Sequence, residues 1–329
     1  GGLFLYLYGI KKINMKVTVL LVLALCLIDL WSVDKRYLND SHFVAKNRLY
    51  DDMKKTPADE EILKDEALNY RVLNLSTNTF NENNTSYWHK SIGGYHAAKL
   101  RRYQEMIEYH ISTEMMQLYQ RTVEHQGDIS VLQPDSFQVL NMLNMKYVIM
   151  PVQGGAVPLE NPHTFGNAWF VNQINYVSTA NEEIETIHEV DLLHTAIVSN
   201  ENKETLGGVT EMPIDSLASI QLVAYEPNHL LYESSSSVDA VAVFSEINYP
   251  GWQAYIDDEK VAHTTANYIL RSMKVPAGKH KIAFVFDPSS VHLTESVATV
   301  SFIVLVLGLL GMIGWEIRKR KASKNKIQE

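Results

Sequence analysis

Residues 87–102, YWHKSIGGYHAAKLRR, carry the densest set of side chains able to do chemistry in this chain. Gly93 and Gly94 permit close backbone approach ahead of a predicted helix, whose free amides and positive dipole end favour an anion. A lipid or polymer phosphate would suit. His89, Lys90, His96 and Lys99 add donors and positive charge, while Tyr87, Trp88 and Tyr95 offer flat surfaces for a sugar ring. The same residues also read as a glycine turn entering a helix, with the aromatic rings packed and Lys99, Arg101 and Arg102 solvated. A second stretch, NYPGWQAYID at 248–257, places a Pro250–Gly251 corner beside Trp252 and Tyr255, which suit core packing or carbohydrate stacking. Asp257, Asp258 and Glu259 fit a hairpin turn more simply than a calcium loop. Asn267 and Arg271 are placed to tie this stretch to its neighbour.

Other chemistries lack their parts. A zinc site built on His89 and His96 needs a third ligand such as His110 or His125, and the spacing specifies none, so no metal is expected. There is one cysteine, Cys26, which removes disulfides and CxxC pairs. No GxSxG elbow or paired-carboxylate spacing marks a hydrolase, and no cofactor is identifiable. The net charge of −9 argues against a nucleic-acid partner, because phosphates need a basic face.

The elements that must position these residues follow from hydrophobic period. Of the chain's 329 residues 46 % are hydrophobic, enough for a substantial core. Pro57 followed by acidic residues predicts a helix start, NYRVLNLS a strand, and TNTFNENNTS a loop. Leu100, Tyr103, Ile107, Ile111, Met115 and Leu118 recur at helical spacing and predict a long amphipathic helix. SFQVLNMLNMKYVIMP reads as a helix turning into a buried strand. NAWFVNQINYV alternates as one strand, followed by a short helix and another strand. Beyond residue 205 the pattern is strand and turn only, which indicates an antiparallel β-sandwich. The expected class is α+β, with an α/β subdomain over 34–205 and the sandwich over 206–290.

Two runs differ from all this. VATVSFIVLVLGLLGMIGW is uncharged for about 19 residues, enough to cross roughly 30 Å of hydrocarbon. It predicts a membrane helix over 294–316, ending at Trp315 before a basic tail at 317–329. VTVLLVLALCLIDLW predicts another over 15–33, with Asp29 near its outer end. GLFLYLYGI precedes the first basic cluster, so 1–10 reads as the end of an earlier membrane helix and the chain as a C-terminal fragment. Lys11, Lys12 and Lys16 before one helix, and Arg318, Lys319, Arg320 and Lys321 after the other, put both flanks inside. The expected protein is multi-pass in the cytoplasmic membrane, its C-terminus cytoplasmic and its main domain outside.

The stretch INYPGWQAYIDDEKVAHTTANYILRSMKVPAGKHKIAFVFDP resembles the C-terminal β-rich module of YfhO-family bacterial membrane proteins. YWHKSIGGYHAAKLRRYQ, FQVLNMLNMKYVI and NPHTFGNAWFV resemble the longer version of that module in Bacteroidetes-type members. The resemblance runs from about Leu30 to Trp315. It implies a protein similar to the glycosyltransferase C superfamily, whose members take sugars from polyprenyl-phosphate carriers and act on envelope polymers or lipids. Its partners would be the bilayer, a polyprenyl-phosphate sugar, an envelope glycopolymer, and further N-terminal membrane helices that hold the catalytic acid. No catalytic residue carries over, so this chain alone is expected to be inactive. The alternative is a non-catalytic envelope carbohydrate-binding or scaffold module. The candidate binding residues are His89, Lys90, Gly93, Gly94, Tyr95, His96, Lys99 and Trp252.

Overall fold

A computed structural model describes residues 2–48, 53–213 and 215–325. It is a mixed structure, 40 % helical and 27 % strand. The chain divides into two units, 1–54 and 55–329.

In the first unit α1 (Gly2–Gly9) is followed by α2 (Met15–Tyr37). Asn14 caps α2, its Oδ1 accepting from the amide of Val17 at 3.0 Å. The stretch Met15–His42 is long and apolar enough to cross a membrane. Ser289–Lys319 in the second unit is the other such stretch. It belongs to a helix that begins at Ser289, five residues before the expected start at 294, because Pro288 supplies a natural entry.

The second unit begins with α3 (Pro57–Ile62), where Thr56 and Asp59 form a reciprocal capping box. Between α2 and α3 the described residues form only short turns of 3-10 helix, such as Asp40–His42 and Lys46–Arg48, and 49–52 lie outside them. β1 (Arg71–Asn74) is followed by α4 (Asn84–Trp88), which occupies part of the expected loop. The long amphipathic helix is present as α5 (Arg101–Met106), a π-helical turn (Ile107–Ile111) and α6 (Ser112–Glu124). α7 (Gln138–Met142) then turns into β2 (Met145–Val152), which pairs parallel with β1 and antiparallel with β3 (Gly155–Glu160). The helices between β1 and β2 supply the crossover that parallel strands require.

NAWFVNQINYV does not form one strand. It breaks at Asn172 into β4 (Ala168–Val171) and β5 (Gln173–Val177), which enter different sheets. The amides of Asn172 and Gln173 both donate to the His194 carbonyl, so the ladder cannot run through. β5 pairs parallel with β6 (Thr195–Ser199) across α8 (Ala180–Thr186).

The strand-rich part forms two antiparallel sheets. β7 (Ser219–Glu226), β8 (His229–Ser236), β10 (Trp252–Ile256), β11 (Glu259–Val261) and β14 (Gly278–Phe286) assemble in the order β11-β10-β14-β8-β7. β9 (Ala240–Ile247), β12 (Thr264–Ala266) and β13 (Leu270–Val275) join β4 in the order β12-β13-β9-β4. Thus a strand from before residue 205 completes a sheet formed by strands beyond it.

This four-stranded sheet is buried on both faces. Trp169, Val171, Val241, Val243 and Leu270 face the core shared with the helices. Ala168, Ala242, Phe244, Met273 and Val275 face the core shared with the five-stranded sheet. The period of two sends alternate side chains to opposite cores, which is why β9 reads as a continuous apolar run. Phe244 and Phe284 meet edge to face at 4.8 Å between centroids. α9 (Ser289–Asn325) leaves directly from the end of β14.

Candidate functional site

The structure distributes the candidates of residues 87–99 among three environments. His89 is buried, its Nε2 2.9 Å from Oδ1 of Asp59, so it fastens the capping box of α3. Lys90 donates to Asn69 Oδ1 at 2.7 Å and sits 3.0 Å from the centre of the Tyr225 ring. Burial brings its pKa down to about 8, against the pull of Glu246. The His89 side chain points into the fold, while Lys90 lies at the surface, held against Asn69 and the Tyr225 ring.

Gly93 and Gly94 do make a close backbone approach, but toward the domain itself. A Cβ at Gly93 would lie 2.0 Å from the Thr79 carbonyl oxygen. The amides of Gly93, Gly94 and Tyr95 donate to Ser91 Oγ, to the Thr79 carbonyl, and to the Glu82 carbonyl and Asn83 Oδ1. The expected anion cradle is therefore corrected: its amides are spent, and α5 starts only at Arg101. Tyr95 and His96 are exposed, and Lys99 lies 5.4 Å over the Phe80 ring. The histidines do not converge either. His110 pairs with His188, Nδ1 to Nε2 at 2.7 Å. Among the described residues no three His, Cys, Asp or Glu side chains form a metal set.

Trp252 stands in a different place. With Tyr249 from the β9–β10 corner, Arg101 and Arg102 from the start of α5, and His263 and Tyr268 from either side of β12, it lines a cleft of about 610 Å³. One wall is Tyr268, carried on the strained pair Asn267–Tyr268. Both residues adopt left-handed backbone, φ 50° and 71°, unfavourable for a side chain as large as tyrosine. Their partners hold them there. Asn267 exchanges two bonds with Ile197, its amide donating at 2.8 Å and its Oδ1 accepting at 2.9 Å. It does tie the β-rich part to the β5–β6 pair, as its position suggested, whereas the Arg271 Nε–H donates within its own sheet, to the Ile247 carbonyl.

The Tyr268 amide donates to Glu183 Oε1 at 3.0 Å and its hydroxyl to Glu105. Arg102 stacks over the Tyr268 ring at 4.6 Å and donates to the Tyr268 carbonyl at 2.9 Å. Burial and the Glu105 carboxylate push the Tyr268 phenol up to about 12, so it remains a neutral donor. Burial and then Arg271 lower the His263 imidazole below its ordinary value, keeping it neutral at physiological pH.

The opposite lip is Tyr249–Trp252. Gly251 has φ +107°, and a Cβ there would lie 2.8 Å from Pro288 Cβ and 3.0 Å from Phe286. Its carbonyl accepts from the Asp287 amide at 2.9 Å, and Gln253 donates to the Asp287 carbonyl. The lip is thus clamped to the two residues before α9. Trp252 packs against Phe286 at 5.3 Å on one side and lies 3.9 Å from the buried Arg271 guanidinium on another. Below it, Asp257 and Asp258 form the two-residue loop between β10 and β11 with φ 50° and 69°, a hairpin turn rather than a cation loop.

No carboxylate lines the cleft among the described residues. Glu105 is engaged by Tyr268 and Arg101, and Glu183 by Arg102 and the Tyr268 amide. The arrangement offers aromatic rings, hydroxyls and guanidinium groups, which bind and orient. Tyr249, His263 and Tyr268 escape sequence reasoning, and Arg102 reads there only as solvated, because the cleft joins three segments that meet only in the tertiary fold.

No family model, curated protein or solved structure matches the chain.

Proposed function

We propose that residues 55–288 form an outward-facing binding domain of a YfhO-like bacterial membrane protein, and that the Tyr249–Trp252–Tyr268 cleft binds a sugar ring. The observation that carries this is the cleft itself: aromatic faces and guanidinium groups with no lining carboxylate, rooted at the start of α9. Aromatic side chains present apolar faces that suit the C–H faces of a pyranose, and arginine supplies forked donors to its oxygens. The sugar would belong to an envelope glycopolymer or to a polyprenyl-phosphate carrier. In this reading the two antiparallel sheets are a sandwich, both long apolar helices span the cytoplasmic membrane, and their basic flanks remain inside. Any transfer chemistry belongs to membrane helices outside this chain, to which the cleft presents its ligand.

The test uses the full chain in detergent micelles with fluorescent envelope oligosaccharides and a polyprenyl-phosphate sugar. Wild type should bind, and Trp252→Ala should lose about tenfold or more, the equivalent of ~1.4 kcal/mol. Sugar transfer in membranes holding only this chain should be absent. Transfer by this chain, or binding indifferent to Trp252, would defeat the proposal.

A further inference from the structure

Behind Trp252 the protein buries more positive charge than it neutralises. Arg271 is only 2 % exposed, yet just one hydrogen bond anchors its guanidinium, from Nε to the Ile247 carbonyl at 3.2 Å. Among the described residues its Nη1 is buried without an acceptor, and the hydroxyl of the fully buried Tyr232 is without a partner. Arg71 and Lys90 are the neighbouring cations, and Glu246 is the carboxylate that acts on Lys90 and Arg271. That carboxylate is already committed: Asn69 donates to its Oε1 at 3.0 Å, and Arg71 approaches the same oxygen at 3.6 Å. Arg71 is further satisfied by the Leu143 and Ser245 carbonyls and Lys90 is solvent-exposed, so Arg271 is the cation left buried without a carboxylate of its own among the described residues. A buried charge without a partner is costly, and the usual resolution is a counter-ion.

Arg271 also adjoins the cleft. It pairs in register with Thr265, which lines the cleft, and its guanidinium lies under the indole of Trp252. The lowered imidazole of His263, another lining residue, registers the same positive charge.

We propose that the ligand of the cleft carries an anionic group, a phosphate or a carboxylate, and that the Arg271 guanidinium is its counter-ion, reached when Trp252 turns aside. This rests on the reading of the cleft as a sugar site and adds to it the charge of the sugar. A guanidinium fork offers an anion two parallel donors, and charge-assisted bonds in a dry site are the strong kind. Arg71 and Lys90 add favourable field without contact.

The experiment titrates the full chain in micelles with methyl glucoside, methyl glucuronide and glucose 1-phosphate at matched ionic strength, following tryptophan fluorescence. At least one charged ring should bind about tenfold tighter than the neutral one, and the better of the two identifies the anion. The fluorescence change should vanish in Trp252→Phe, which places the anion beside that ring. Arg271→Met, which fills similar volume without charge, should bind all three alike and should unfold at a temperature no lower than wild type in anion-free buffer. Equal affinity of wild type for charged and neutral rings overturns this inference and leaves the sugar site standing. Binding of none of the three overturns both. A charge preference that survives in folded Arg271→Met also overturns it; should that variant fail to fold, the wild-type preference and its dependence on Trp252 decide.

Discussion

Gly93 and Gly251 both sit where no side chain fits, and the two contacts have opposite meanings. Gly93 presses on the Thr79 backbone within the same lobe, and its neighbours Gly94 and Tyr95 spend their amides on residues 79–83. The three amides there all have partners within the loop, and the result is a closed turn in which Glu82 Oε1, an acceptor, is the buried atom left over among the described residues. Gly251 presses on Pro288, outside its own turn, and its carbonyl holds Asp287. Around it Trp252 and Tyr249 remain partly open to solvent, and Arg271 keeps an unanswered donor. A turn whose donors are all spent on its own loop is holding the fold together. One that leaves donors waiting beside a cleft is prepared for something else.

Three substitutions sharpen that contrast. Gly93→Ala should have the largest effect, about 3 kcal/mol of stability, because the obstacle is a backbone carbonyl that cannot swing away. Chemical denaturation of the full chain in detergent measures it, and a loss below about 1 kcal/mol would show the loop to be slack. Gly251→Ala should cost less, about 2 kcal/mol from its positive φ and the Pro288 contact, yet it should weaken ligand binding in molecules that remain folded. Undiminished binding would separate the lip from the cleft. The smallest effect, reduced by the solvent screening of an exposed side chain, belongs to Lys90. Its pKa is depressed in the fold to about 8 from 10.5, so the unfolded chain holds more protons between these values and stability rises with pH there. The contribution is complete above the unfolded value and is lost as pH falls through about 8. Melting curves from pH 8 to 10 should show wild type gaining on Lys90→Met, and a constant difference would contradict the lowered pKa of Lys90.

Elements governed by local pattern were legible in the sequence, since periodicity and caps are local properties. Pro57 opens a capped helix, the apolar residues from Tyr103 to Leu118 build the α5–α6 helix, and the strands beyond residue 205 follow their alternation. What alternation does not encode is the partner. NAWFVNQINYV is apolar at the right spacing throughout, but its two halves join sheets on either side of Asn172. The glycine pair correctly signalled close approach, while the identity of the approaching atom, the Thr79 carbonyl, depended on tertiary folding. The cleft was the least legible feature. Tyr268 belongs to it only because Asn267 locks onto Ile197, a residue 70 positions away.

The bond between the Gly251 carbonyl and the Asp287 amide fixes the length of a lever. On one arm is the tryptophan lip; on the other, with Pro288 as its stiff first residue, is a helix apolar enough for a bilayer. Such a helix answers changes in hydrocarbon thickness by tilting. A tilt of α9 would therefore reach the tryptophan lip through a single backbone hydrogen bond.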